Sequence, residues 1–281
     1  MIGLVTDSNA QLPPELAERY SVEVVPLTVT VDGQEYLEGV DLDADAFYAR
    51  FRSGRPAVST AQPSPGQFAA AYEAVTDRGA TEILSVHIGS SVSGTVNSAR
   101  LAARGASVPV RIVDTGTASF AVSLCLWEAA EAVAEGATIE EAAAAAERVS
   151  ATVGNAFVVG ALDVARAGGR LPGDVGVGEG IGEGADIPVL SLTGGVMREL
   201  DRVAHVEQAA DAMAAFVLAA GPSLRVGVGF SDAGSLPLVL ALEDRLRGAP
   251  QVREAVRYRI GPSVGAHTGP GTVGTMFAPA P

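Results

Sequence analysis

The chain has 281 residues, 48% of them hydrophobic, and its 19 basic and 33 acidic residues give a formal net charge of −14. The hydrophobic fraction supports a folded core, and the length suits two domains or one large one. Every basic residue is arginine, which excludes Schiff-base and other lysine chemistry. An acidic chain without a basic run argues against nonspecific nucleic-acid binding and against docking on anionic lipid headgroups.

A single cysteine, Cys125, excludes an internal disulfide, and its apolar neighbours predict a small buried residue rather than a reactive thiol. Residues 1–7 lack the basic start of a signal peptide. No apolar stretch approaches the roughly 18 residues of a membrane helix. We therefore expect a cytoplasmic protein without stable membrane insertion.

The first half alternates strand-like and helix-like segments, a pattern typical of parallel βαβ units. Apolar and β-branched runs predict strands over residues 2–6, 22–31, 82–86 and 110–113. Amphipathic or alanine-rich stretches predict helices over residues 13–20, 43–53, 66–78, 94–104, 118–134 and 138–149. Residues 55–65, which contain three prolines, are interpreted as a loop.

The second half differs in composition. After a strand over 156–159 and a short helix over 162–167, the glycine-rich residues 168–184 indicate a domain boundary or a loop. Gly194 and Gly195 between two strand-like runs predict an antiparallel hairpin. The remaining predicted elements are helices over 205–220 and 234–247 and strands over 225–230, 253–260 and 272–277. We therefore predict an α/β protein with two domains: residues 1–160 with a parallel sheet, and residues 161–281, an α+β domain with a mixed or antiparallel sheet.

Three polar loops mark the edge of the predicted parallel sheet where ligands bind in such folds: residues 6–9, 59–64 and 87–95. In the third loop, hydroxyl side chains lead directly into a helix. Backbone N–H groups and hydroxyls at a helix start form a neutral site for one anion. The alternative is that Ser93 or Thr95 only caps the helix.

Two isolated cationic side chains stand among small residues. His267 lies in a glycine-rich segment, residues 261–271, where the backbone is arranged closely around it, which favours a functional histidine over a core imidazole. Arg170 follows Gly168 and Gly169, and the alternative for it is a solvated surface arginine. His87 and His205 have no such context and are interpreted as structural or surface residues. No histidine pair has zinc-motif spacing and no calcium loop occurs, so no metal is expected.

A series of segments carries a resemblance to known proteins. These are residues 6–8 (TDS), 25–27 (VPL), 59–64 (STAQPS), 90–99 (SSVSGTVNSA), 113–115 (VDT), 168–170 (GGR) and 260–271 (IGPSVGAHTGPG). In order and spacing they resemble the DegV family, bacterial proteins understood as the fatty-acid-binding subunits of fatty acid kinase.

The resemblance implies a carrier rather than a complete enzyme. Such a protein binds one long-chain fatty acid, with the carboxylate at the domain interface and the tail in an apolar tunnel, and needs no cofactor. A separate ATP-binding kinase subunit then phosphorylates the bound carboxyl group to an acyl phosphate, which feeds phospholipid metabolism.

The resemblance also assigns residues to roles. Thr60 and Ser93 match the hydroxyls that bind the carboxylate, and Arg170 and His267 match the supporting cationic pair. Ser91 and Asp7 are secondary candidates. The sequence departs from the family over residues 171–186, which are glycine-rich and acidic where relatives carry an apolar helix, so chain-length preference and kinase docking could differ.

Two alternatives remain open from the sequence. One is a stand-alone lipid carrier or sensor without a kinase partner. The other is a serine hydrolase in which Ser91 or Ser93 acts with His267 and an acid such as Asp7 or Asp114. The serine loop lacks the glycine spacing of a nucleophile elbow, which counts against the hydrolase.

Overall fold

The computed structural model describes residues 1–161, 187–193 and 196–280, which fall into two compact units. The first unit comprises Met1–Val29, Glu35–Asp41 and Thr60–Thr152, and the second comprises Thr30–Gln34, Leu42–Ser59 and Val153–Pro281. Two stretches of the N-terminal half are thus grouped with the second unit. A domain boundary after residue 160 stays a prediction.

The first unit contains a four-stranded parallel sheet. Its strands are β1 (Ile2–Asp7), β2 (Glu23–Val25), β6 (Glu82–His87) and β7 (Val110–Asp114), in the order β2-β1-β6-β7. The two central strands are buried along almost their whole length, as expected when helices cover both faces of a parallel sheet. The parallel βαβ arrangement predicted from the sequence is therefore confirmed.

The helices of the first unit are close to the predicted ones. They are α1 (Pro14–Arg19), α3 (Pro65–Asp77), α4 (Thr95–Ala103), α5 (Phe120–Ala134) and α6 (Ile139–Ser150). Ser64 and Thr138 begin α3 and α6 with capping boxes, each reciprocated by the residue three positions later. Phe68 and Tyr72 of α3 pack against Val5 of β1. Cys125 on α5 is fully buried, as predicted.

A second, three-stranded sheet was only partly predicted. Its strands are β3 (Thr28–Val31), β4 (Gln34–Leu37) and β5 (Val58–Ala61), in the order β4-β3-β5. The single strand expected over 22–31 was wrong, because it is interrupted at Pro26 and Leu27, and the loop expected over 55–65 contains β5. Asp32 and Gly33 form the predicted turn, with φ of 50° and 83° respectively.

The second unit contains a six-stranded sheet. Its strands are β8 (Gly154–Val158), β9 (Ile187–Thr193), β10 (Val196–Val203), β11 (Leu224–Phe230), β12 (Val252–Arg259) and β13 (Val273–Pro279), in the order β10-β9-β8-β13-β11-β12. Only β11 and β12 pair in parallel among these described strands. The antiparallel pairing of β9 with β10 confirms the predicted hairpin, and the separate mixed sheet confirms the predicted fold class.

The helices of the second unit are α2 (Ala44–Arg50), α7 (Val206–Leu218), α8 (Leu236–Leu246) and α9 (Pro262–Thr268). Met213 of α7 and Leu242 of α8 pack against the β11 and β13 side chains Val226 and Phe277. Helix α9 was not predicted, because glycines lie before, inside and after it. The helix predicted over 162–167, the glycine-rich residues 168–184 and the turn at 194–195 lie outside the described residues. Within the described part of the chain, no helix has the length and apolar character needed to cross a bilayer.

Candidate functional site

The carboxyl ends of β1 and β6 lie side by side in the first unit. The two strands pair in parallel, and Thr6 Oγ1 donates a hydrogen bond of 2.8 Å to the Val86 carbonyl. The polar loops predicted after these strands therefore begin next to each other. This edge is where open parallel sheets place their ligands.

The loop after β6 holds Ser93 at the start of α4. The Gly89 carbonyl accepts hydrogen bonds from the backbone N–H groups of Val92 (3.0 Å) and Ser93 (3.1 Å). Ser93 Oγ lies 2.8 Å from Thr95 Oγ1 and accepts a hydrogen bond of 3.3 Å from the Thr95 N–H. The cap residue itself is Gly94, which offers no side chain. Ser93 thus supplies a half-buried hydroxyl at a helix start, where the helix dipole favours negative charge.

Thr60 lies near the end of β5 and is half-buried. Two residues later, Gln62 Nε2 donates a hydrogen bond of 3.2 Å to Ser98 Oγ on α4. The Gln62 amide also occupies the space that a Cβ on Gly94 would need. The segment that carries Thr60 is therefore attached to the same helix start that carries Ser93, so the structure brings these two predicted segments together within the first unit.

A carboxylate on the neighbouring strand β7 supports the serine loop. Asp114 Oδ1 accepts hydrogen bonds from the backbone N–H groups of Ser90 (3.0 Å) and Gly116 (3.2 Å). Partial burial opposes ionisation of this carboxyl, but the hydrogen bonds from Ser90 and Gly116 outweigh it and hold its pKa below the usual value. Ser91, the secondary candidate, is exposed on the same loop.

Asp7 lies in the core rather than at the surface. Its Oδ1 accepts a hydrogen bond of 3.1 Å from the Asn9 N–H, and its Oδ2 accepts one of 3.1 Å from the Ile88 N–H. Oδ2 also lies 2.9 Å from His87 Nδ1, and both side chains are completely buried. His87 is thus buried in the core, and its interpretation as a surface residue was wrong.

Another buried carboxylate was missed by the sequence reasoning. Ser8 Oγ donates a hydrogen bond to Glu38, which is only 6% exposed, and accepts one of 2.9 Å from the Leu27 N–H. Gln11 Nε2 lies 3.4 Å from Glu38 Oε1 and 2.9 Å from the Ser8 carbonyl. This cluster fixes the loop after β1. No sequence signal pairs Ser8 with a glutamate thirty residues away.

In the second unit, His267 lies in the last turn of α9 and is half-buried. The helix packs closely on α2, because a Cβ on Gly265 would overlap the Tyr48 hydroxyl and lie 2.8 Å from the Phe47 ring. Gly269, with φ of 73°, ends the helix in a conformation that glycine adopts without strain. Gly265 thus serves the close packing of α9 on α2, and a functional role for His267 stays a prediction.

Arg170 and the divergent segment 171–186 lie outside the described residues. Within the described ranges, no three His, Cys, Asp or Glu side chains gather in a way that could hold a metal ion. Asp7 and Asp114, the two acids named for a serine hydrolase, both accept hydrogen bonds from the backbone of their own unit. The hydrolase therefore gains no support from their geometry.

Comparison with known proteins shows the family. The sequence profile described as "Uncharacterised protein, DegV family" matches residues 1–280. A DegV domain-containing protein of Streptomyces coelicolor is 34% identical over 280 residues, covering 99% of this chain and 98% of the relative.

The structure of a DegV family protein from Thermus thermophilus, described as fatty acid binding, is similar with a TM-score of 0.87 and 32% identity over 99% of both chains. A Thermotoga maritima protein, described as revealing a fatty acid binding function, has a TM-score of 0.84 and 27% identity over 99% of both chains. The chain therefore belongs to the DegV family, as its segment pattern predicted.

Proposed function

We propose that this protein binds a single long-chain fatty acid and presents it to a separate ATP-binding kinase subunit, which phosphorylates the carboxyl group to an acyl phosphate. The observation that carries the proposal is the end-to-end similarity to the Thermus thermophilus protein described as fatty acid binding. In this proposal the protein is a cytoplasmic carrier, it needs no cofactor, and the partner supplies the chemistry.

The hydroxyls of Thr60 and Ser93 would bind the carboxylate. Both are half-buried, and Gln62 attaches the Thr60 segment to the helix start beside Ser93. Neutral donors hold a carboxylate without neutralising it, so its oxygen keeps the electron density needed to attack phosphorus. The start of α4 adds a favourable dipole.

Arg170 and His267 would offset the negative charge that grows as the acyl phosphate forms. The chain has no lysine, so arginine is its only permanently charged basic side chain. This makes Arg170 the residue most suited to that role, and His267 contributes when its imidazole is protonated.

The hydrocarbon tail would supply most of the affinity. An acyl chain of about 14 to 18 carbons gains about 0.8 kcal/mol per buried methylene, on the order of 10 kcal/mol as an upper bound. The polar groups therefore orient the ligand more than they retain it. Retention of the fatty acid and formation of the acyl phosphate should therefore depend on different parts of the site.

Mass spectrometry of ligand extracted from the denatured protein tests the binding proposal. The expected result is a saturated or monounsaturated long-chain fatty acid at near-stoichiometric amount. The proposal is contradicted if the purified protein contains no fatty acid and binds no added palmitate.

Replacing Ser93 by alanine tests how the roles are divided. We expect Ser93→Ala to slow acyl phosphate formation about tenfold or more, as for loss of a donor to a charged group, while retention of the fatty acid changes little. The assay supplies ATP and a fatty acid kinase subunit, and traps the acyl phosphate with hydroxylamine. Ser53→Ala, which removes an exposed hydroxyl, is the control.

The outcomes distinguish a stand-alone carrier from a protein that presents its fatty acid to a kinase. No product from the wild-type protein, with fatty acid bound, would favour the stand-alone carrier. Loss of fatty acid from Ser93→Ala would contradict the division between tail and headgroup.

A further inference from the structure

A continuous chain of polar side chains runs through the core of the first unit, outside the proposed ligand contacts. Tyr72 Oη lies 3.0 Å from Ser85 Oγ, Ser85 Oγ lies 2.6 Å from His87 Nε2, and His87 Nδ1 lies 2.9 Å from Asp7 Oδ2. Ser85 and His87 are two residues apart on β6, so both side chains emerge on one face of the sheet. Tyr72 is 2% exposed and the other three are 0% exposed.

Counting donors and acceptors assigns one arrangement of protons to these four hydrogen-bonded side chains. Asp7 accepts hydrogen bonds from two backbone N–H groups, and as an ionised carboxylate it accepts a third from His87 Nδ1–H. With its proton on Nδ1, the neutral imidazole has a bare Nε2 that accepts from the Ser85 hydroxyl. Ser85 Oγ then accepts from the Tyr72 hydroxyl. Burial raises the pKa of Tyr72 to about 12, partly offset by its hydrogen bond with Ser85, so Tyr72 keeps its proton for this bond.

A protonated imidazole breaks this order. His87 Nε2–H would donate to Ser85, which would turn the Ser85 hydroxyl toward Tyr72. The Tyr72 proton would then need a new acceptor in a region closed to water. A buried donor without an acceptor is destabilising, so the hydrogen bonds of all four side chains are satisfied when Nδ1 carries the proton and Nε2 is bare.

The arrangement resembles a Ser-His-Asp catalytic triad. It differs from a triad at the serine, which is the residue that would have to react. Ser85 is completely buried in the middle of a strand, and its oxygen is bonded by Tyr72 as well as by His87. A nucleophile needs access to substrate and an oxyanion site beside it. These hydrogen-bonded side chains are therefore suited to positioning a neighbouring loop rather than to catalysis.

The chain of hydrogen bonds continues to Ser93 through the backbone. Asp7 Oδ2, oriented by His87, accepts from the Ile88 N–H. The next residue, Gly89, holds the Ser93 N–H with its carbonyl and donates its own N–H to the Thr117 carbonyl at 2.7 Å. Each link lies within the first unit.

We propose that His87 is a positioning residue: as a neutral imidazole protonated on Nδ1, it orients the Asp7 carboxylate, which aligns the loop that carries Ser93 with the fatty acid carboxylate. The inference rests on the proposed function, since the fatty acid is the ligand that Ser93 would contact. His87 itself does not touch the ligand.

Two substitutions of one residue test the proposal. An asparagine amide nitrogen can take the place of Nδ1 and donate to Asp7, whereas a glutamine amide nitrogen takes the place of Nε2 and cannot. Delipidated His87→Asn and His87→Gln proteins are loaded with palmitate that is isotopically labelled at its carboxyl carbon. The position of the carboxyl NMR resonance and the amount of bound palmitate are then measured, together with the midpoint of thermal unfolding.

We expect His87→Asn to keep the wild-type resonance and His87→Gln to shift it toward that of free palmitate. Bound palmitate should differ less than about twofold between the variants, because the tail dominates the affinity. Equal resonances in the two variants overturn the proposal, whatever their unfolding midpoints. Absence of bound palmitate in the wild-type protein refutes the proposed function instead.

NMR of the ring nitrogens in the wild-type protein provides a test that needs no substitution. The expected signature for His87 is one protonated nitrogen, Nδ1, and one bare nitrogen, Nε2, near neutral pH. Two protonated ring nitrogens, or a proton on Nε2 alone, overturn the proposal. This second measurement keeps the proposal falsifiable if either variant fails to fold.

Discussion

The two units hold their candidate functional groups in different ways. At the edge of the parallel sheet in the first unit, buried carboxylates such as Asp7 and Glu38 bind backbone or side-chain donors and fix the loops. In the second unit, α9 is positioned by shape, with Gly265 pressed against the aromatic rings of Phe47 and Tyr48. The first unit should therefore be sensitive to changes of polarity, and the second to added atoms.

The largest effect is expected from Asp7→Ala. The substitution removes the acceptor of two backbone N–H groups and of His87 in a region with no access to water, and each buried donor left unsatisfied costs about 1–3 kcal/mol. The free energy of unfolding, measured by urea denaturation, should therefore fall by about 3 kcal/mol or more. Asp77→Ala, at an exposed aspartate at the end of α3, is the matched control and should change little. A loss below about 1 kcal/mol in Asp7→Ala would show that hydrogen bonds do not hold this edge.

A smaller effect is expected from Gly265→Ala. The added methyl group would overlap Tyr48 and forces α9 away from α2, and such overpacking costs about 1–3 kcal/mol. Urea denaturation again measures the change. Gly54→Ala is the control, since nothing lies within 4 Å of a Cβ at that position.

Adding Tyr48→Phe to Gly265→Ala removes the hydroxyl nearest the new methyl group and should restore part of the lost stability. Failure of the double variant to recover anything would mean that shape at Tyr48 does not set the position of α9.

The smallest effect concerns Asp114. Its pKa is lowered in the folded state, so it contributes stability above the unfolded pKa of an aspartate and loses that contribution as the pH falls through its folded pKa. The difference in unfolding free energy between wild type and Asp114→Asn should therefore shrink on acidification. Because the carboxyl is partly exposed, the whole effect is small. A difference that grows at acidic pH would contradict the assigned role of the Ser90 and Gly116 hydrogen bonds.

Local sequence patterns predicted most helices and the strands of both large sheets. Helix α3 shows why: Ser64 and Gln67 form a capping box within four residues, and buried Phe68, Tyr72 and Val75 recur at helical spacing. Such signals act between near neighbours in the chain. The hydroxyl-rich loop with Ser93 was identified for the same reason.

The missed elements depend on partners distant in sequence. Strand β5 is only four residues long and lies in a segment flanked by prolines. It forms because it is hydrogen-bonded to β3. Helix α9 contains glycine, the weakest helix former apart from proline, and is supported by packing on α2. Asp7 and His87 lie eighty residues apart, so no local pattern pairs them.

The sequence by itself determined the fold class, the family and the loops that carry the candidate site, because hydrophobic periodicity, caps and motif order are local properties. The lack of lysine and the net charge of −14 likewise limit the chemistry through composition alone. Only the tertiary structure decided that Asp7 and His87 are buried together, that Gln62 attaches the Thr60 segment to α4, and that α9 exists. The physical reason is that burial and hydrogen-bond pairing depend on which distant segments meet, and parallel strand pairing brings those segments together.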